Sequence, residues 1–201
     1  MQDQQDFQLQ IEEADKLKTL GEHDQAIKIC ERILFQDLDQ PQAYEEIGDN
    51  FLSLRQYEKA EKALLQALRL NPTSANAHYL IGFTHSALGN WPESIEHLER
   101  ADKLQPNHPE VLRCLGWSIF HAGQRKQGVI ILERSLNLSP RDPLILSDLG
   151  ICYLNDKNFA RANQLFHQVL EIEPNNQKVK ECLHAVGFFQ DEFKKFRQSN
   201  K

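Results

Sequence analysis

Apolar residues recur along most of this 201-residue chain at three- and four-residue steps, the spacing that places side chains on one face of a helix. Ala43, Tyr44, Ile47, Phe51, Leu52 and Leu54 predict one such helix. A turn follows near Arg55–Gln56. Tyr57, Ala60, Ala63, Leu64, Ala67, Leu68 and Leu70 then predict a second helix, which Asn71–Pro72 ends because proline disfavours helical geometry in the residue before it. Ser74 is placed to cap the next helix, starting at Ala75. Pro41, Pro109 and Pro143 stand where a first helical position would fall, and Pro92 has the same part in a second helix.

The plan repeats at a fixed period. Pro72, Pro106, Pro140 and Pro174 are successively 34 residues apart, and so are Gly48, Gly82, Gly116 and Gly150. Three sites of small residues follow the same period. The first reads Ala14, Gly48, Gly82, Gly116 and Gly150, and the second Ala26, Ala60, Ser94, Gly128 and Ala162. The third reads Ile33, Ala67, Ala101, Ser135 and Val169. Turn glycines stand at Gly21, Gly89 and Gly123, with Arg55 and Lys157 at the equivalent positions of the other two units.

These residues resemble the tetratricopeptide repeat, a helix–turn–helix unit with small residues in both helices and a closing proline. The resemblance implies an all-α fold, a right-handed α-solenoid in a single array. It covers residues 7–176 as five units, 7–40, 41–74, 75–108, 109–142 and 143–176. Residues 1–6 are expected to be a flexible lead-in, and 177–201 a capping helix and tail. The unit at 7–40 is degenerate, with Leu38 at the proline site and Gln10 and Glu13 at apolar sites, as suits an end repeat lacking a neighbour. In the opposite cap, Val179, Leu183 and Val186 should face the array, and Gly187 is placed to break or bend the helix. Phe188, Phe189, Phe193 and Phe196 beyond it are more aromatic than a solvent-facing cap needs.

In proteins of this kind the first helices of successive units line a concave groove that holds an extended or helical peptide. The resemblance then assigns Ile11, Glu45, Tyr79, Arg113 and Ser147 to the fifth site of each unit, and Asp15, Asp49, Phe83, Trp117 and Ile151 to the ninth. Residues four apart share a helix face, so each pair forms one step of the wall. The wall runs from acidic (Asp15, Glu45, Asp49) through aromatic (Tyr79, Phe83, Trp117, with Phe120 and His121 beside them) to aliphatic (Leu144, Ile151, Leu154). Such a surface would take a peptide with a basic and a hydrophobic segment. The competing reading is that part of the stripe, Phe120 and Leu154 above all, packs between helices. A second surface is suggested by Val129–Leu132, four apolar residues in succession, of which Ile130 should point outward. The C-terminal aromatics or the Ile130 surface would be the place for a homodimer.

Net charge is −6, and residues 1–70 hold 15 acidic against 8 basic side chains, a balance that weighs against nucleic acid as a partner. The cysteines, Cys30, Cys114, Cys152 and Cys182, are spaced as neither a metal knuckle nor a redox pair, which fits free thiols and a cytoplasmic protein. No apolar run is long enough to insert into a membrane, and Met1–Gln10 lacks the features of a secretory signal. Arrays that clamp acidic chaperone tails carry Lys and Asn at the fifth and ninth sites of the first unit. Here those sites are Ile11 and Asp15. The asparagine ladder of glycosyltransferase-type arrays is missing as well, the sixth sites reading Glu12, Glu46, Leu80, Cys114 and Asp148. His78 and His85, with His121 and Cys114, are candidate metal ligands but stand at sites the family fills with aromatic rings, so packed rings are expected and no metal. The acid pair Glu45–Asp49 reads as a solvated face rather than acid–base machinery, and neither a phosphate-binding loop nor a nucleophile motif occurs. A non-enzymatic scaffold or adaptor without a cofactor is the reading these observations favour. The alternatives are a chaperone-like escort for an exported or assembling client, and a regulatory or targeting subunit of a separate enzyme.

Overall fold

The computed structural model describes residues 2–199, and all of its regular structure is helical. The helices are α1 (Gln2–Thr19), α2 (His23–Gln36), α3 (Pro41–Ser53), α4 (Tyr57–Leu70), α5 (Ala75–Leu88) and α6 (Trp91–Leu104). They are followed by α7 (Pro109–His121), α8 (Arg125–Leu138), α9 (Pro143–Asn155), α10 (Phe159–Ile172) and α11 (Gln177–Ser199). Gln2 already belongs to α1, so the helix runs through most of the stretch read as a flexible lead-in. Met1 and the last two residues lie outside the described residues.

The turn inside each helix pair is the same structure five times. Gly21, Arg55, Gly89, Gly123 and Lys157 all have positive φ, between 57° and 95°. The next residue's N–H returns to the carbonyl five positions back: Glu22 to Leu17, Gln56 to Phe51, Asn90 to His85, Gln124 to Ile119 and Asn158 to Tyr153, at 2.8–3.1 Å. This left-handed closure satisfies carbonyls that a helix end leaves open. Arg55 and Lys157 adopt it without being glycine, at the steric cost that a Cβ carries there.

The small sites set how closely the paired helices approach. A Cβ on Gly48 would lie 2.5 Å from Leu64 Cγ, on Gly82 2.6 Å from Leu98 Cγ, and on Gly150 2.5 Å from Phe166 Cε1. Gly116 and Gly128 meet in the α7–α8 pair, where a Cβ on Gly128 would sit 2.6 Å from both Gly116 O and Phe120 N. Ser94, also fully buried, donates to Gly82 O at 2.7 Å, so its hydroxyl is satisfied across the pair.

The chain divides into two compact units, residues 1–106 and 107–201, at a point the hydrophobic pattern does not mark with a linker. In the first, the core runs from Ala26, Cys30, Ile33, Ala43 and Ile47 to a cluster of Ala60, Leu64, Leu80 and Ile81. In the second it is built from Phe120, Leu132, Ile145, Leu149, Leu165, Phe166 and Val169, and α11 docks on it through Val179 and Val186. Within each unit the first helices of successive repeats touch (α1 with α3, α3 with α5; α7 with α9, α9 with α11), while among the described residues no contact joins the second helices. The first helices therefore form the inner side of each unit. Gly187 does not break the last helix: α11 continues through it to Ser199. Nothing lies within 4 Å of where its Cβ would be, so no neighbour forces a change of direction there.

Candidate functional site

The inner side of the first unit is made by α1, α3 and α5. Ser74 caps α5, its Oγ accepting from Ala77 N at 3.1 Å while its hydroxyl donates to Glu45 Oε1 at 2.6 Å. Asn76 Nδ2 donates to Glu45 Oε2 at 2.8 Å. Glu45 is thus a bridge from the second repeat to the third, with both carboxylate oxygens engaged.

Asp49 is engaged too, by a residue that the fifth and ninth sites alone do not reveal. Lys18, near the C-terminal end of α1, reaches Asp15 at 2.9 Å, Glu46 at 3.1 Å and Asp49 at 2.8 Å. Burial alone would lower the Lys18 pKa. Hydrogen bonds to Asp49 and Asp15, with the attraction of Asp49 and Glu46, outweigh it and raise the ammonium above its ordinary range. At Glu46 the balance tips the other way, burial exceeding the pull of Lys18 and raising its carboxyl pKa. Three carboxylates face one ammonium, so this part of the wall keeps an acidic excess although its centre is paired. Asp15 is exposed and Asp49 half-buried. Beside them on α5, the half-buried rings of Tyr79 and Phe83 lie 6.4 Å apart, centroid to centroid.

The second unit presents a different wall. Arg113 is held between Glu110 and Asp148, its Nη1 donating to Asp148 Oδ2 at 2.8 Å. Its side chain is 13% exposed, so Arg113 is a joint between α7 and α9 rather than an open cation. Burial raises the Asp148 carboxyl pKa, and Arg113 opposes it. Arg113 Nε is buried without a hydrogen-bond partner. Trp117 packs against His121 with the rings tilted, 4.2 Å between centroids, Trp117 half-buried and His121 exposed. Phe120 is 3% exposed and belongs to the core, which settles its competing readings in favour of packing. Leu144 is 56% exposed, and Ile151 and Leu154 are half-buried. Ile130 on α8 is 65% exposed, on the helix opposite the inner side.

His78 and His85 are packed rings, and they have a third partner, His97 of α6. His78 Nδ1 lies 3.1 Å from His97 Nδ1, and the His85 and His97 rings stack at 6.1 Å. His85 Nε2 is 3.5 Å from Glu61 Oε1, and His78 Nε2 is 3.3 Å from Pro72 O. Two nitrogens at that separation share one proton, one donating and one accepting. Burial first, and the neighbouring imidazoles at His97, hold His78 and His97 below the usual histidine range. Among the described residues no group of three or more His, Cys, Asp or Glu is arranged to hold a metal ion. The four cysteines are free, with burial pushing the Cys30 and Cys152 thiols up to about 12. No helix among the described residues is long and apolar enough to cross a membrane.

The repeat geometry has counterparts among known proteins. Sequence profiles described as TPR repeat or tetratricopeptide repeat match residues 48–89, 75–108 and 143–176. No curated protein sequence matches. Among solved structures, a thermophilic TPR protein of Thermus thermophilus is similar over 90% of this chain and 99% of its own, at 19% identity and a TM-score of 0.76. PilF of Pseudomonas aeruginosa covers all of both chains at 14% identity and a TM-score of 0.74. YrrB, described as a TPR protein with an unusual peptide-binding site, is 20% identical over 88% of this chain and 89% of its own, with a TM-score of 0.65. With the repeated turn, the small-residue contacts and the paired helices, these matches show that the chain belongs to the tetratricopeptide repeat family.

Proposed function

We propose that this chain is a non-enzymatic adaptor that binds a segment of a partner protein along the inner side of its helix pairs. The observation that carries the reading lies wholly in the first unit. There α1 and α3 carry the acidic excess of Asp15, Glu46 and Asp49 around Lys18, and α5, which touches α3, carries the half-buried rings of Tyr79 and Phe83. A Lys or Arg of a bound segment would complete the charge at Asp15 and Asp49, and an apolar side chain next to it would lie on the rings. Glu45 holds the wall in shape through Ser74 and Asn76, and Arg113 does so in the second unit, so both act as positioning residues. Trp117, His121, Leu144 and Ile151 offer the second unit's inner side to apolar side chains.

Support for recognition rather than chemistry comes from the occupancy of the carboxylates. Glu45 and Asp49 are committed to neighbouring side chains and stand on an open face. The test is fluorescence anisotropy with two labelled synthetic peptides, one joining Lys/Arg to Leu/Phe residues and one joining Asp/Glu to the same apolar residues. The basic peptide should bind, and its affinity should fall as salt is raised, because screening weakens exposed charge pairs. Tyr79→Ser/Phe83→Ser should abolish binding with helical circular dichroism retained. Equal binding of both peptides, or binding untouched by the double substitution, would remove the inner side of the first unit as the site.

A further inference from the structure

The last helix ends the second unit in an unusual way for a stacked helical array. Here α11 docks through Val179 and Val186 and then continues as an overhang bearing Phe189, Phe193 and Phe196. Phe193 packs edge-on against Phe159 at 6.0 Å, with the Lys157 ammonium 5.5 Å from its ring centre. Phe189 and Phe196 remain 51% and 65% exposed. With Leu154 and Phe159 these rings line an apolar groove of about 560 Å³. An aromatic face of this kind is normally covered.

The charges along its rim indicate by what. At 100° per residue, Phe189, Phe193 and Phe196 fall within about 60° of one another. Glu192 follows about 40° beyond Phe196 on one flank, and Lys195 lies about 100° beyond Phe196, its long side chain reaching back to the rim. Glu192 and Lys195 are paired within the helix at 2.8 Å. When two copies of a helix meet antiparallel about a two-fold axis, each flank faces its own counterpart in reverse order. Glu192 then meets Lys195 of the second copy, and Lys195 meets its Glu192. The same arrangement brings Phe189 against Phe196 of the second copy, and the centres of the two pairings fall within one residue of each other, next to Phe193. The rim is therefore complementary to itself, and to a second copy only in the antiparallel sense.

We propose that α11 pairs antiparallel with α11 of a second copy across Phe189, Phe193 and Phe196, with reciprocal Glu192–Lys195 ion pairs at the rim. Three rings and two rim pairs form a smaller patch than the roughly 1,200–2,000 Å² that stable complexes bury, so the dimer is expected to be a weak one.

Sedimentation velocity over a series from about 1 µM to 1 mM reads this directly. The wild type should pass from monomer to dimer across the series, and Phe189→Ser/Phe196→Ser should stay monomeric. Glu192→Lys alone and Lys195→Glu alone should each weaken dimerisation at least about tenfold, by placing like charges at the rim. An equimolar mixture of those two variants should recover it as a heterodimer. Ile130→Ser should dimerise as the wild type does. A wild type that stays monomeric throughout would overturn the proposal. So would a mixture that fails to recover the dimer, or phenylalanine variants that dimerise undiminished. Circular dichroism at 222 nm, unchanged in each variant, excludes unfolding as the cause of a loss.

Discussion

The two compact units are built on one repeat and present opposite inner walls. In residues 1–106 the wall is polar at one end: Lys18 ties α1 to α3, and Glu45 ties α3 to the start of α5. In residues 107–201 a buried joint, Arg113 between Glu110 and Asp148, is followed by Trp117, Leu144, Ile151 and the rings of α11. Close contacts of a first-helix glycine with a large apolar side chain, leucine or in one pair phenylalanine, hold the helix pairs in both, as do the left-handed turns. The repeat thus separates two duties. The small and apolar sites facing the paired helix fix the fold, while the inner sites can be charged or apolar without disturbing it.

The largest expected effect tests whether the two polar joints are equivalent. Asp148→Ala leaves Arg113, already missing a partner at Nε, with Glu110 alone, and should cost about 3 kcal/mol in urea unfolding. Lys18→Met should cost less, about 2 kcal/mol, because Asp15 and Asp49 can regain water. It should also raise the affinity for a basic peptide. Equal losses at both sites would erase the distinction between a buried joint and a half-open one.

Next in size is the close approach shared by the units. Gly128→Ala should cost about 2 kcal/mol or more, because the atoms it meets, Gly116 O and Phe120 N, are backbone and cannot turn aside. Gly48→Ala should cost less than that, since the atoms it meets belong to the fully buried Leu64 side chain, which gives way more readily than backbone does. Differential scanning calorimetry of the two variants ranks them.

A smaller effect belongs to the first unit alone. Folded-state pKa values of His78 and His97 lie below the ordinary 6.5, so the unfolded chain binds more protons than the folded one in the window just below that value. Their contribution is fully present above about pH 6.5 and is lost as pH falls through the folded values. His97→Phe should therefore flatten the decline in melting temperature between about pH 7 and 5 relative to the wild type. A parallel decline in both would show that the imidazole cluster does not govern it.

The smallest effects probe the middle of α11 and one of the left-handed turns. Gly187→Ala should stabilise α11 by up to about 1 kcal/mol, as its Cβ meets nothing. Arg55→Gly should relieve the left-handed turn by a few tenths of a kcal/mol at most, the gain being offset by a freer unfolded chain. Guanidinium titrations resolve the first, and a null result there would mean that Gly187 is not held helical in solution.

Much of this was legible in the sequence because it is periodic. The turns, the small sites, the Ser74 cap, the outward Ile130 and the docking of α11 by Val179 and Val186 all follow from spacing within or between repeats. What escaped is pairwise and aperiodic. Lys18 meets acids 28 and 31 residues away, Arg113 meets Asp148 35 residues away, and His97 meets His78 19 residues away. None of these pairs recurs in the other repeats, so no periodicity announces it. Reading only the fifth and ninth sites made the first wall seem more open than it is, since Lys18 stands at the twelfth. The break expected at Gly187 is absent for another reason. Glycine weakens a helix but ends it only where a turn is otherwise favoured, and between Val186 and Phe188 nothing favours one.

The most direct test of the central claim, that recognition resides on the inner sides, is selection of a displayed random-peptide library on the wild type and on Tyr79→Ser/Phe83→Ser. The account predicts that the wild type enriches sequences joining Lys or Arg to an aromatic or aliphatic residue, and that the variant, with its helicity intact, enriches none of them. The same consensus recovered from both proteins, or an acidic consensus from the wild type, would contradict it.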